Sequence, residues 1–161
     1  MKKVLFLLFV SFLFLAGCGS GELKSFASDF NEVVENEDID EINPDDFGEI
    51  EEEDDFGFQT LYESDRYSIE ANYDNDKHLT GYMINIDAND PFEQLEGDGY
   101  RASVSTARAL GLSPKDFANN FEKALMSDSH SYTEDDYEIR FLNIGYDMSL
   151  DMAMLVTFEM Q

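Results

Sequence analysis

Residues 67–73 read YSIEANY, and apolar side chains alternate there with polar ones. This period of two is typical of a β-strand with one buried and one solvated face. The turn-forming stretch 74–77, DNDK, leads into residues 79–87, where an apolar side chain recurs at every second position from Tyr82. Together with a less regular strand at 58–63, these segments predict a meander of three antiparallel strands.

Helical spacing occurs on both sides of this meander. Upstream, apolar side chains recur every three or four residues over 22–36, which predicts an amphipathic helix. Its polar face is acidic apart from Lys24, whereas helices that lie on lipid favour basic residues, so we expect the apolar stripe to pack on the sheet. Downstream, 101–110 predicts a short helix, and the stretch 113–116, SPKD, has the residue types that begin another.

The chain closes with two more alternating segments, at 137–146 and 150–160, which predict a hairpin. The order of elements is then helix, three strands, two helices and two strands. Strands segregated from helices in this way predict an α+β domain over 58–161. We expect an antiparallel sheet of about five strands with helices packed on one face, including the helix at 22–36.

A strongly acidic segment separates the first helix from the strands. Residues 29–55 contain 15 acidic side chains and no Lys or Arg, so residues 37–57 are predicted to be a loop or a partly disordered linker. One alternative is a tether that charge repulsion stiffens. The other is a long loop in which four apolar side chains reach back to the core, namely Ile39, Ile42, Phe47 and Ile50.

Clustered carboxylates in this segment raise the question of a metal site, since Ca²⁺ and Mg²⁺ prefer oxygen ligands. The weak candidates are Glu51, Glu52, Glu53, Asp54 and Asp55. No stretch of the sequence has the spacing of an EF-hand loop, so only loose cation binding is expected there. The simpler interpretation is a solvated acidic loop.

The N-terminus has the features of an export signal. Lys2 and Lys3 precede thirteen residues, 4–16, that are apolar apart from Ser11. This run is shorter than the roughly 20 residues that span a bilayer as a helix. Its length therefore predicts that residues 1–17 are a signal peptide rather than a transmembrane helix.

The signal ends in Leu15-Ala16-Gly17-Cys18, which resembles the lipobox of bacterial lipoproteins. The resemblance implies cleavage between Gly17 and Cys18 and a covalent diacylglycerol on the Cys18 thiol. It leaves open whether the new amino group carries a further acyl chain, such as palmitate, and it implies no other cofactor. Residues 18–21 would then be the lipidated cysteine and a flexible spacer.

This resemblance implies a location on the extracytoplasmic face of the cell membrane. The single cysteine excludes an internal disulfide, and together with the start Cys-Gly-Ser-Gly it resembles lipoproteins of Gram-positive bacteria. Residues 10–17, VSFLFLAG, also resemble the peptide sex pheromones that some of these bacteria release from lipoprotein signals. A pheromone precursor is therefore a remote alternative.

The net charge limits the classes of molecule that the chain can bind. Ten basic residues oppose 36 acidic ones, a formal charge of −26, and removal of Lys2 and Lys3 with the signal leaves 8 basic residues and −28. Such a chain repels phosphate backbones and anionic lipids, which excludes nucleic acid as a partner. Membrane attachment is expected to depend on the lipid.

The sequence contains no established catalytic or metal-binding motif. His130 lies between Ser129 and Ser131, but neighbours in sequence rarely form a catalytic set. We therefore expect a non-enzymatic domain that binds a protein or another envelope component through its sheet face or its acidic loop. A lipoprotein that binds a small ligand or a divalent cation is the alternative, and an envelope hydrolase is a remote one.

Six tyrosines on or near the predicted strands could line a binding face, or they could pack at the margin of the core with their hydroxyls reaching water. They are Tyr62, Tyr67, Tyr73, Tyr82, Tyr137 and Tyr146.

Overall fold

The computed structural model of the chain describes residues 18–53, 55–144 and 152–161. They form one antiparallel sheet with three helices on one of its faces, so the predicted α+β fold is confirmed. The helices are α1 (Cys18–Val34), α2 (Asp98–Ala109) and α3 (Pro114–Ala124). The strands are β1 (Glu51–Glu53), β2 (Phe56–Glu63), β3 (Tyr67–Tyr73), β4 (Leu79–Asp87), β5 (Ser129–Glu134), β6 (Tyr137–Asn143) and β7 (Met152–Met160).

The sheet has seven strands, in the order β1-β2-β3-β4-β7-β6-β5, rather than about five. The two strands that the sequence did not predict, β1 and β5, lie at the two edges. β1 consists of three glutamates, and β5 reads SHSYTE, so neither has the apolar alternation that marks a strand in a sequence.

The core lies between the helices and the sheet. Apolar side chains of the central strands form the side of the core next to the sheet. In β7 the side chains of Met154, Val156 and Phe158 are fully buried. Phe117 of α3 stacks on Phe158, with ring centroids 5.7 Å apart. Met160, on the same face of β7, is 40% exposed because it lies at the end of its strand.

Helix α1 begins at Cys18, so residues 18–21, for which the sequence predicts a lipidated cysteine and a flexible spacer, are helical in this structure. Leu23 and Phe26 are buried, and Phe26 stacks on Tyr82 of β4 with ring centroids 4.1 Å apart. Once these side chains fix the first turns on the sheet, extending the helix toward its N-terminus requires ordering only a few more residues. The apolar stripe of α1 therefore packs on the core.

Helix α2 begins at Asp98, three residues before the start predicted for it. Gly97 has a φ of 96° and Gly99 lies so close to β4 that a Cβ there would be 2.6 Å from Cγ2 of Ile86. The two glycines thus allow the turn and the close helix–sheet contact. Helix α3 begins as predicted, because Ser113 Oγ accepts a hydrogen bond from the Asp116 N–H at 3.2 Å.

The acidic segment folds back onto the domain rather than forming a tether. Ile42 is only 1% exposed, and Ile39 and Phe47 pack partly against the core. Ile50, the fourth residue expected to reach the core, is 36% exposed. The segment also contains a short 3₁₀ helix, Pro44–Asp46, and ends in β1.

Among the residues described, no helix has the length and apolar character needed to cross a membrane.

Candidate functional site

The face of the sheet opposite the helices is called here the open face. A groove of about 570 Å³ lies on it where β5, β6 and β7 run side by side. The side chains that strand alternation directs to the open face from these strands are Ser129, Ser131 and Thr133 of β5, Glu138, Arg140 and Leu142 of β6, and Leu155, Thr157 and Glu159 of β7. The groove is thus lined by a mixture of small polar, apolar and charged side chains.

The charges in this groove compensate one another. The Arg140 guanidinium lies 2.9 Å from a carboxylate oxygen of Glu138 and 3.3 Å from one of Glu159. The hydrogen bond from Arg140 lowers the pKa of the Glu138 carboxyl. Because two carboxylates surround the one guanidinium, this surface does not have the excess positive charge of an anion site.

The other half of the open face carries a small polar network on β3 and β4. Asn85 Nδ2 donates to Glu70 Oε1 at 2.9 Å and lies 3.0 Å from Ser68 Oγ, which in turn lies 3.2 Å from Glu70 Oε1. Partial burial raises the pKa of the Glu70 carboxyl, and the hydrogen bonds from Ser68 and Asn85 oppose this shift. Met83 pairs with Glu70 across the strands, so apolar and polar groups alternate here too.

A second depression, the acidic cleft, lies at the end of the domain where the acidic segment meets the β2–β3 turn. It has a volume of about 330 Å³. Tyr62 Oη donates a hydrogen bond to Asp40 at 2.6 Å and the Tyr62 ring stacks on Tyr67. Desolvation, and then the hydrogen bond to Asp40, raises the pKa of Tyr62. The carboxylates around the cleft are Glu37, Asp38, Asp40, Asp65 and Asp98, and Arg66 Nε lies 3.9 Å from Asp98.

The metal candidates of the acidic segment are not brought together. Strand alternation in β1 directs the side chain of Glu52 away from those of Glu51 and Glu53. Glu52 instead pairs with Lys77 at 2.5 Å, and the hydrogen bond from Lys77 lowers the pKa of the Glu52 carboxyl. Asp55 is exposed, and the candidate at position 54 lies outside the described residues.

In the described part of the chain, the one group of three metal-type ligands is Asp74, Asp76 and His78 in the β3–β4 turn. The sequence shows the signal, ligand types at every second position, but His78 lies where an EF-hand loop has Asp or Asn. The turn itself accounts for the arrangement: Asp74 Oδ1 accepts from the backbone N–H groups of Asp76 and His78, at 2.9 and 2.8 Å. The backbone hydrogen bond from His78 makes the largest contribution to the lowered pKa of Asp74.

Ser129, His130 and Ser131 do not form a catalytic set. Alternation along β5 places His130 on the face covered by α3 and both serines on the open face. His130 Nε2 lies 2.9 Å from the side-chain oxygen of Asn120, and the ring stacks on Phe141. The histidine therefore joins β5 to α3.

The tyrosines belong mainly to the core. Tyr67, Tyr73 and Tyr82 lie on the helix-covered face and are at most 4% exposed, while Tyr62 and Tyr137 pack partly against the same cluster. The Tyr73 hydroxyl donates to Gln59 Oε1 at 2.7 Å. Tyr146 lies outside the described residues. These rings do not form a continuous binding face.

Of the two residues at the expected cleavage site, Cys18 is the first residue of α1 and Gly17 lies outside the described residues.

Comparison of the chain with protein-family models, with curated proteins and with solved structures gave no match.

Proposed function

We propose that the mature chain is a lipid-anchored binding domain on the extracytoplasmic face of a bacterial cell membrane. In this proposal it holds a protein or another envelope component on its open face and catalyses no reaction. The observation that carries the proposal is the seven-stranded sheet with helices on one face and a groove of about 570 Å³ on the other.

The composition of the open face suits binding. Leu142 is 44% exposed and Leu155 is half-buried, and both lie in the groove beside Thr157 and the Arg140 ion pairs. Protein interfaces combine a partly apolar centre with polar groups around it, and a long sheet face that no described element covers provides such a surface.

The lipobox resemblance and the position of α1 support the proposed anchor. Cys18 lies five residues before Leu23, which is 2% exposed in the core. At 1.5 Å per helical residue the separation is only about 7.5 Å, so a lipid on Cys18 would hold the domain against the bilayer. The charge of −28 opposes electrostatic attachment to anionic lipid, so the proposed attachment relies on covalent lipid.

Cross-linking on intact cells followed by co-purification tests the binding function. Leu142→Asp places a charge in the groove, and Met126→Asp is the matched control, because Met126 is 82% exposed after α3, away from the open face. We expect Leu142→Asp to reduce the yield of the cross-linked partner by about tenfold or more, and Met126→Asp to leave it unchanged. Equal yields from wild type and both variants would contradict binding on the open face.

A further inference from the structure

The two edges of the sheet differ in their protection against further pairing. β1 has three residues, all exposed glutamates, and short, charged edges oppose the addition of another strand. β5 has six residues and contains no Lys, Arg or Pro. It pairs with β6 alone among the described strands, so its other side is free.

The register shows which backbone groups point outward from β5. The Asn143 N–H donates to the Asp128 carbonyl at 2.9 Å, which makes these two residues a hydrogen-bonded pair. Because such pairs alternate in an antiparallel ladder, His130 and the residues two and four positions further on exchange bonds with β6. The N–H and C=O groups of Ser129, Ser131 and Thr133 therefore point away from the sheet, without a partner in the described part of the chain.

Space for another strand exists on one side of this edge. The three β5 side chains on the open face are small, and the groove extends from Ser129 and Ser131 to Leu142 and Leu155. A long side chain on a strand added beside β5 can reach across them into the groove. The other side is occupied, because α3 packs there and His130 contacts Asn120.

The charges at the two ends of β5 indicate the kind of segment that would pair with it. Asp128 precedes the strand, and Asp135 and Asp136 form the turn to β6, whereas the Glu134 carboxylate accepts a hydrogen bond from the Ser113 N–H on the helix-covered side. A second copy of this chain would bring the same carboxylates and be repelled, whereas a segment with positive charges at both ends would be attracted.

From these observations we propose that the free edge of β5 binds an extended, basic segment of a partner protein, which adds an eighth strand to the sheet. The segment would have about six residues, matching β5, with Lys or Arg at its ends and an apolar side chain directed into the groove. Main-chain hydrogen bonds to Ser129, Ser131 and Thr133 would provide affinity, and the groove and the flanking acids would provide specificity. This inference rests on the proposed binding function and names the chemistry of the partner.

The probe for this proposal is an eight-residue peptide of alternating Thr and Val with a lysine at each end, added to the full chain purified from membranes in detergent. Amide hydrogen exchange at Ser129, Ser131 and Thr133 should slow by about tenfold or more, with no change in β1. A twin peptide with glutamate at each end should bind at least about tenfold more weakly. A second twin, N-methylated at every second amide, lacks the N–H groups that would donate to β5. It should be weakened to the same extent.

Two variants locate the contact. Ser131→Pro removes an outward N–H but no bond to β6, a position at which proline is tolerated, and Ser131→Ala keeps the N–H. We expect the proline variant to bind the lysine-ended peptide at least about tenfold more weakly and the alanine variant to bind like the wild type. Because the N-methylated twin leaves the protein unchanged, it decides the question even if Ser131→Pro fails to fold.

Three results would overturn the proposal. The first is that the N-methylated peptide binds as well as its parent, and the second is that the lysine-ended peptide does not bind. The third is a dimer that forms without peptide and is lost in Ser131→Pro. The last would assign the edge to a second copy of the chain. None of them affects the cross-linking comparison of Leu142 with Met126, so failure of the edge proposal is distinguishable from failure of the binding function.

Discussion

The side-chain amide of Asn31 in α1 forms two hydrogen bonds with the backbone of Ile42. Its Nδ2 donates to the Ile42 carbonyl at 2.9 Å, and its Oδ1 accepts from the Ile42 N–H at 2.8 Å. Ile42 is 1% exposed. One side chain thus satisfies both backbone groups of the residue that holds the acidic segment on the core.

Replacing Asn31 by Ala should therefore destabilise the fold. Both backbone groups of Ile42 would lose their partner, and a buried unsatisfied group costs about 1–3 kcal/mol. The measurement is urea unfolding of Asn31→Ala, with Asn36→Ala, at an exposed position after α1, as the control. If the two variants unfold at the same urea concentration, the acidic segment is not held in this way.

Two helical glycines should respond to alanine in opposite directions. In Gly99→Ala the new Cβ would lie 2.6 Å from Cγ2 of Ile86, and such overpacking costs about 1–3 kcal/mol. Gly21 has no atom within 4 Å of an added Cβ, so Gly21→Ala should stabilise α1 by up to about 1 kcal/mol. Thermal unfolding of both variants checks this. An unchanged stability in Gly21→Ala would favour the flexible spacer instead.

The buried carboxyl of Asp90 should make stability depend on pH. Asp90 is 4% exposed, and its Oδ2 accepts from the Gly99 N–H at 2.9 Å. Desolvation raises the pKa of this carboxyl, although the backbone hydrogen bonds oppose the shift. A carboxyl with a higher pKa in the folded than in the unfolded chain stabilises the fold at low pH, and this contribution is lost as the pH rises through the folded pKa.

The free energy of unfolding of the wild type, relative to Asp90→Asn, should therefore fall as the pH is raised from about 3 to about 7. Urea unfolding of both proteins across this range measures the difference, in which the titrations of the other carboxyls cancel. Asp65→Asn, at an exposed position, controls for the loss of one charge. A difference that is constant with pH would contradict the raised pKa.

Cys18→Ser should abolish attachment to membranes, because the hydroxyl cannot take the place of the thiol that would carry the lipid. Labelled fatty acid should be incorporated by the wild type and not by the variant, and the variant should appear in the soluble fraction. A variant that still sediments with membranes, together with a wild type that incorporates no label, would rule out the lipid anchor.

The elements whose side chains alternate or repeat toward the core could be predicted from the sequence. β3, β4 and the apolar stripe of α1 each carry a periodic pattern because one side of each is buried. The edge strands β1 and β5 could not, because an edge strand is held by backbone pairing with its one neighbour. Glu51–Glu53 and Ser129–Glu134 therefore resemble loops in sequence.

The candidate site was predictable in part. The sheet face was expected to bind, but the groove depends on which strands lie side by side. β7 lies between β4 and β6 although 64 residues intervene between the end of β4 and the start of β7, and no local pattern encodes that pairing. The carboxylates of β1 are consecutive in sequence, yet strand alternation separates Glu52 from Glu51 and Glu53.

The binding function of the open face is tested most directly by site-specific photo-cross-linking in intact cells. A photoreactive side chain at Leu142 lies in the groove, and the same group at Met126 lies away from it. We predict a discrete adduct from position 142, with a protein or another envelope component, that is absent from position 126. Adducts of the same mass and yield from both positions, or none from 142 in chains that are correctly anchored, would contradict binding at the open face.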